Sequence, residues 1–147
     1  MERRPDVRRT RWRSILRGLL ALIYFAAGVA HLLRPAFFLA ITPPWVPMPA
    51  LVIAVTGVCE ILGAIGLLVP RLRWWAGVML AAYAVAVFPA NLHHAFGGVE
   101  AGVALGASYH LPRLLFQPVF VWWALFAGGV VDWPWSAASS SPPPSRG

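Results

Sequence analysis

The sequence predicts an all-α polytopic membrane protein, an antiparallel bundle of four transmembrane helices. Three observations carry that prediction. First, the chain has 147 residues and 59% of them are hydrophobic. Second, it has only 17 charged side chains, 12 Arg and 5 Asp or Glu with no Lys, and nine of the 17 lie in the first 17 residues. Beyond them stand only Arg34, Glu60, Arg71, Arg73, Glu100, Arg113, Asp132 and Arg146. A soluble domain has about a quarter of its residues charged, so this chain cannot clothe a water-facing surface, and a two-domain soluble enzyme is excluded. Third, the apolar runs are hydrophobic all round any helix drawn through them, which suits a helix solvated by lipid.

A hydrocarbon core about 30 Å thick takes about 20 helical residues, rising 1.5 Å each. Four stretches of that length can be laid down, residues 14–33, 50–69, 74–93 and 112–131. The first follows a run of Arg and stops at Arg34 and Pro35. A cleaved signal peptide is its rival reading, with Gly28 and Ala30 as the small residues of a processing site, but the apolar stretch from Ile15 to Leu33 is long for one. The second begins at Pro49 and Ala50, where proline is tolerated in a first turn, and stops at Pro70 and Arg71. The third follows after a short turn, predicting an antiparallel hairpin with the second. Between the first two spans, Pro35, Pro43, Pro44, Pro47 and Pro49 forbid a continuous helix, so this stretch is expected to form a stiff cap. The loop from Ala95 to Leu111 is Gly-rich and nearly uncharged. Residues 1–13 make a basic cytoplasmic arm, and residues 132–147, with three consecutive Ser and three consecutive Pro, a disordered cytoplasmic tail.

Basic residues near membrane spans are retained in the cytoplasm. With the N-terminus inside, ten Arg lie on the cytoplasmic side, and only Arg34 and Arg113 lie outside. The sequence therefore places both termini on the cytoplasmic side of the membrane. Trp12, Trp74, Trp75, Trp133 and Trp135 mark the inner headgroup level and Trp45 the outer one. The net charge of +7 is explained by this topology signal and by attraction to anionic lipid, about 1 kcal/mol per Arg near the surface. A nucleic-acid arm would not be followed by 130 nearly uncharged residues, and no nucleic-acid partner is expected.

Ionisable groups inside a membrane are costly and mark sites. Glu60 lies about ten residues into the second span, roughly 15 Å at 1.5 Å per residue, near the midplane. Thr56, Glu60 and Gly63 share its helical face. The first span offers Tyr24 and His31, the third Asn91 and His94, and the fourth Arg113 and Gln117. Alternating helix direction gathers His31, Arg34, Asn91, His94, Arg113 and Gln117 in the outer half, with Glu60 at the floor of one outward-facing pocket. Three readings of that pocket stay open. It is a hydrogen-bonded network that fixes helix register, worth about 0.6 kcal/mol per bond. Or it binds a small amphipathic ligand such as a quinone, with Glu60 and His31 exchanging protons and Asn91, His94, Gln117, Arg34, Arg113 and Thr56 as ligand-binding groups. Or it is a proton or solute pathway. No metal site is expected from His31, His93, His94 and His110, because no pair has ligand spacing on one helical face. The single cysteine, Cys59, excludes an intramolecular disulfide or a CxxC redox pair, so redox chemistry must come from a cofactor or partner.

The motifs Gly28-x-x-His31-x-x-x-Pro35, Pro43-Pro44-x-x-Pro47, Gly57-x-x-Glu60-Ile61, Pro89-Ala90-Asn91 and Leu111-Pro112 with Gln117 occur in that order. Together they resemble the DoxX family of small bacterial membrane proteins, from about Ile15 to Phe126. The resemblance implies a four-helix membrane protein encoded with, or forming a small subunit of, a quinone-linked sulfur oxidoreductase. It points to His31, Glu60, Asn91 and Gln117 as the site and to redox partner subunits. This chain departs from the family pattern at Leu32 and in the His93-His94 pair.

Overall fold

The computed structural model describes residues 7–97 and 107–134. All regular structure among them is helical: α1 Val7–Leu33, α2 Pro35–Leu39, α3 Pro49–Leu68, α4 Arg73–Gly97 and α5 Ala107–Gly128. Three of these carry stretches long and apolar enough to cross a membrane, Thr10–Leu33, Pro49–Leu68 and Arg73–His93. In α5 the apolar stretch is shorter, Leu114–Gly128.

The boundaries follow local chemistry. α1 starts at Val7, seven residues before the expected span, because no Pro or Gly interrupts the chain between Val7 and Arg17 and arginine is a good helix former. Inside the proline-rich connection, α2 is a single short helix with Pro35 in its first turn, where the missing N–H costs nothing. Pro49 opens α3 in the same way, after Met48 in the left-handed region at φ 46°. α4 runs through Pro89 to Gly97, four residues past the expected end. α5 ends at Gly128 rather than at residue 131, because Gly129 adopts φ 80° and the N–H groups of Val130 and Val131 both turn back to the carbonyl of Leu125. The centre of the loop expected at residues 95–111, and the tail from residue 135, lie outside the described residues.

α1 packs on α3, α3 on α4, α4 on α5, and α5 back on α1. Small residues set the distances. A Cβ on Gly28 would lie 2.6 Å from the carbonyl oxygen of Gly57, so α1 and α3 touch backbone to backbone. Gly77 and Gly128 do the same for α4 and α5, where a Cβ on Gly77 would meet Gly128 Cα at 2.8 Å. Leu20, Leu67, Leu80 and Phe126 are wholly buried among alanines. The outside is apolar, with Leu22, Leu33, Leu62, Met79 and Leu115 all more than 60% exposed.

One end of the structure is held by arginine. Arg17 donates to the carbonyl of Ala127 at 2.8 Å, and Arg13 to that of Val131 at 2.9 Å and to Asp132 Oδ1 at 2.6 Å, while lying 4.5 Å over the ring of Phe126. Arg73 reaches the carbonyls of Leu67 and Leu68 at the end of α3. Cations there meet the negative ends of α3 and α5. α2 and His31 lie at the opposite end.

Candidate functional site

A cavity of about 710 Å³ lies among α1, α3, α4 and α5, and Phe38, Ile41, Thr42, Pro43 and Val46 of the α2 segment line its outer end. Its walls are mainly apolar and aromatic, and its polar groups fall into two clusters.

The first cluster is built on Glu60, which α3 holds at 4% exposure. Tyr83 of α4 donates its hydroxyl to Glu60 Oε1 at 2.8 Å. His31 of α1 places Nδ1 2.9 Å from Glu60 Oε2 and 3.0 Å from the carbonyl of Ala27, one turn earlier in its own helix. A carbonyl only accepts, so Nδ1 carries the proton. One N–H cannot point squarely at both acceptors, and its geometry favours Ala27, leaving Oε2 without an aligned donor. Glu60 thus has one oxygen that accepts a hydrogen bond and one that lies against the imidazole without an aligned bond. Phe38 of α2 stacks on that imidazole, with centroids 3.8 Å apart and planes 21° apart. Tyr24 packs edge-on against Tyr83 and Phe120, completing the floor.

The second cluster joins α4 to α5. Asn91 Nδ2 donates to Gln117 Oε1 at 3.1 Å, and Gln117 Nε2 donates to the backbone carbonyl of Ala84. Pro89 lies just beyond, and a helical proline has no N–H to offer the carbonyl four residues back, that of Val85. The Gln117 amide therefore bonds the helix backbone beside the break.

Of the residues singled out by sequence, His31, Thr56, Glu60, Asn91 and Gln117 all line the cavity. Among the described residues they fall into separate contacts. His31 and Glu60 meet, Asn91 and Gln117 meet, and Thr56 turns its hydroxyl onto the carbonyl of Ile53 at 2.8 Å. Arg34 stands exposed between α1 and α2, outside the lining. The side chains of His94 and Arg113 lie outside the described residues. Among the described residues no three His, Cys, Asp or Glu side chains cluster to hold a metal ion. Cys59 is a free, exposed thiol. Sequence reasoning missed Tyr83 and Phe38. A phenol in the middle of an apolar span needs a partner for its O–H, and that signal pointed to Tyr83. Stacking of Phe38 on His31 depends on the course of the proline-rich segment and had no signal.

A family model described as a domain of unknown function, DUF8561, matches residues 20–128. The chain belongs to the DUF8561 family. The match runs from within α1 to the end of α5 and takes in every residue that lines the cavity, while leaving out the basic arm and the tail. No curated protein and no solved structure matches this DUF8561 chain.

Proposed function

We propose that this chain is a four-helix antiparallel integral membrane protein of the DoxX type. In this reading it lies in the bacterial inner membrane with both termini cytoplasmic and serves as a quinone-interacting accessory subunit of a membrane redox system. The observation that carries the reading is the floor of the cavity. A carboxylate buried in an apolar protein, touched by an imidazole on one oxygen and a phenol on the other, is arranged to hold or release a proton rather than to fix helix register alone. The cavity is of the size that holds a small molecule, with apolar walls and a few convergent polar groups. Reduction of a quinone needs electrons, which in this reading come from a partner subunit, and protons, which Glu60 and His31 exchange. Asn91 and Gln117 orient the ligand's oxygen atoms, with Thr56 on the wall.

A second reading, a membrane scaffold or assembly factor, has its own support in the bonds from Gln117 to Asn91 and to the Ala84 carbonyl, which tie α5 to α4 without any ligand. Solute transport ranks third, resting on Glu60 alone. Glu60→Gln separates the first two, because it keeps size and hydrogen bonding but removes the titrating proton. Proton exchange by Glu60 predicts a normal level of protein in the membrane and a loss of quinone-dependent activity of about a hundredfold, the scale of a lost acid–base group. Normal activity would exclude the proton-exchange role, and loss of the protein itself would favour the scaffold.

A further inference from the structure

We infer that the cavity is loaded sideways from the hydrocarbon phase through a gap between α1 and α5, so that its ligand is a lipid-dissolved amphiphile carrying a hydrogen-bonding head. This rests on the membrane-spanning, ligand-binding reading above, and adds a route and a ligand class to it.

The helix seams differ in how they are closed. α1 and α3 meet backbone to backbone at Gly28 and Gly57, beside the cavity, leaving no room even for a methyl group. α3 and α4 are joined at the cavity floor by the bond from Tyr83 to Glu60 and by Leu80 packed over Gly63, and a second, apolar pocket of about 540 Å³ lies along this seam and shares Tyr83 with the cavity. α4 and α5 are tied at cavity level by Asn91 and Gln117 and below it by Gly77 against Gly128. Across the α2 end lie Phe38, on His31, and Pro43, itself buried.

The seam between α1 and α5 is different. Among the described residues its links run from Arg13 to Tyr24 on α1: Arg13 to Val131, Leu16 to Trp123, Arg17 to Ala127 and Tyr24 to Phe120. Beyond Tyr24 the cavity lies between the two helices, lined by Ala27 and His31 from one side and by Phe116 and Gln117 from the other. Four lining residues also stand exposed on the outer surface, and such residues mark a rim. Three of them flank this seam, Ile23 at 37%, Phe116 at 54% and Val119 at 41% exposure, while the fourth, Val52, sits near the start of α3. The rim is wholly apolar, so it passes hydrocarbon and repels charge. Once inside, a ligand meets Glu60, His31 and Tyr83 at the floor, with the Gln117 amide beside the gap and Asn91 next to it on α4, which suits a molecule with a polar head.

The test uses Glu60 itself as the reporter. Carbodiimides add to a carboxyl group, and the product on Glu60 is read by mass spectrometry of the full chain in lipid nanodiscs. Dicyclohexylcarbodiimide partitions into lipid; a charged carbodiimide stays in water, and the exposed Asp132 reports on it. We expect the lipid-soluble reagent to modify Glu60 at least about tenfold faster than the charged one, Ile23→Trp with Val119→Trp to slow it about tenfold, and Ile23→Ala with Val119→Ala to speed it. Equal modification of Asp132 in all three proteins shows that the reagents are active, and an unchanged thermal midpoint shows that each protein is folded. Entry from the α1–α5 gap is overturned if the charged reagent reaches Glu60 as fast, if neither pair of substitutions changes the rate, or if the lipid-soluble reagent leaves Glu60 unmodified even in the alanine pair. A short-tailed benzoquinone added beforehand tests the other reading separately. Failure to protect Glu60 removes the quinone, while the dependence on Ile23 and Val119 still decides the route.

Discussion

At the scale of single residues, the Glu60 carboxyl group meets two other helices, accepting a hydrogen bond from Tyr83 on one oxygen and lying against the His31 ring with the other, and the two contacts are separable. Tyr83→Phe removes the hydroxyl from Oε1 and leaves a buried acceptor unmatched. Hydrogen bonds between membrane helices average about 0.6 kcal/mol and reach about 1.7 kcal/mol. Tyr83→Phe is therefore expected to lower stability by about 1 kcal/mol, read as a lower unfolding midpoint in detergent. Tyr24→Phe, which keeps the ring contacts with Tyr83 and Phe120, is expected to change it by less than about 0.5 kcal/mol, since only the ring holds it in place. Equal losses in the two variants would mean that the phenol–carboxylate bond contributes nothing particular. Glu60 and His31 were legible in the sequence because an ionisable residue in an apolar span has few neighbours to choose from. The division into two polar clusters was not, since it depends on the rotation of each helix about its axis, and an apolar span hydrophobic all round gives little sign of that rotation.

At the scale of helices, glycines in α1 separate packing from propensity. Gly28→Ala would place a methyl group 2.6 Å from the carbonyl oxygen of Gly57, which is backbone and cannot swing aside. Overpacking of this kind costs about 1–3 kcal/mol. Gly18 sits in the same helix where an added methyl would meet nothing within 4 Å, so Gly18→Ala is expected to stabilise by about 0.5–1 kcal/mol through helix propensity alone. Opposite signs of the change in thermal midpoint for the two variants are the expected result; two losses would show that α1 is crowded along its whole length. Helix positions were legible where Pro bounded a run at the start of α2 and α3, at Pro35 and Pro49, but not in α5, which starts at Ala107, runs through Pro112 and stops at Gly128, three residues before the expected end. They were least legible where α1 continues into the basic arm, because arginine favours helix as well as water, and hydropathy registers only the second property.

At the scale of the whole molecule, orientation decides what the cavity can be for. The structure gathers Arg13, Arg17 and Arg73 at one end, against the last carbonyls of α3 and α5, and sets α2 and the capped cavity at the other. One force then favours a single orientation. The arginines sit close to the ends of the spans, and basic residues there are retained in the cytoplasm because carrying their charge across the membrane costs their hydration. The proposed topology thus puts Arg71 inside and Trp45 outside. In a Cys59→Ser background, Trp45→Cys is expected to react with a membrane-impermeant maleimide on intact cells, and Arg71→Cys only after the membrane is opened. Trp45 is 62% exposed and Arg71 also stands exposed, so access, not burial, governs both reactions. The reverse pattern would turn the cavity toward the cytoplasm, where its outer end would face a cytoplasmic partner and protons taken up by Glu60 would come from the opposite side. Since the side from which a redox site takes protons determines whether its turnover adds to or dissipates the membrane potential, this labelling experiment constrains the function even before a ligand is known.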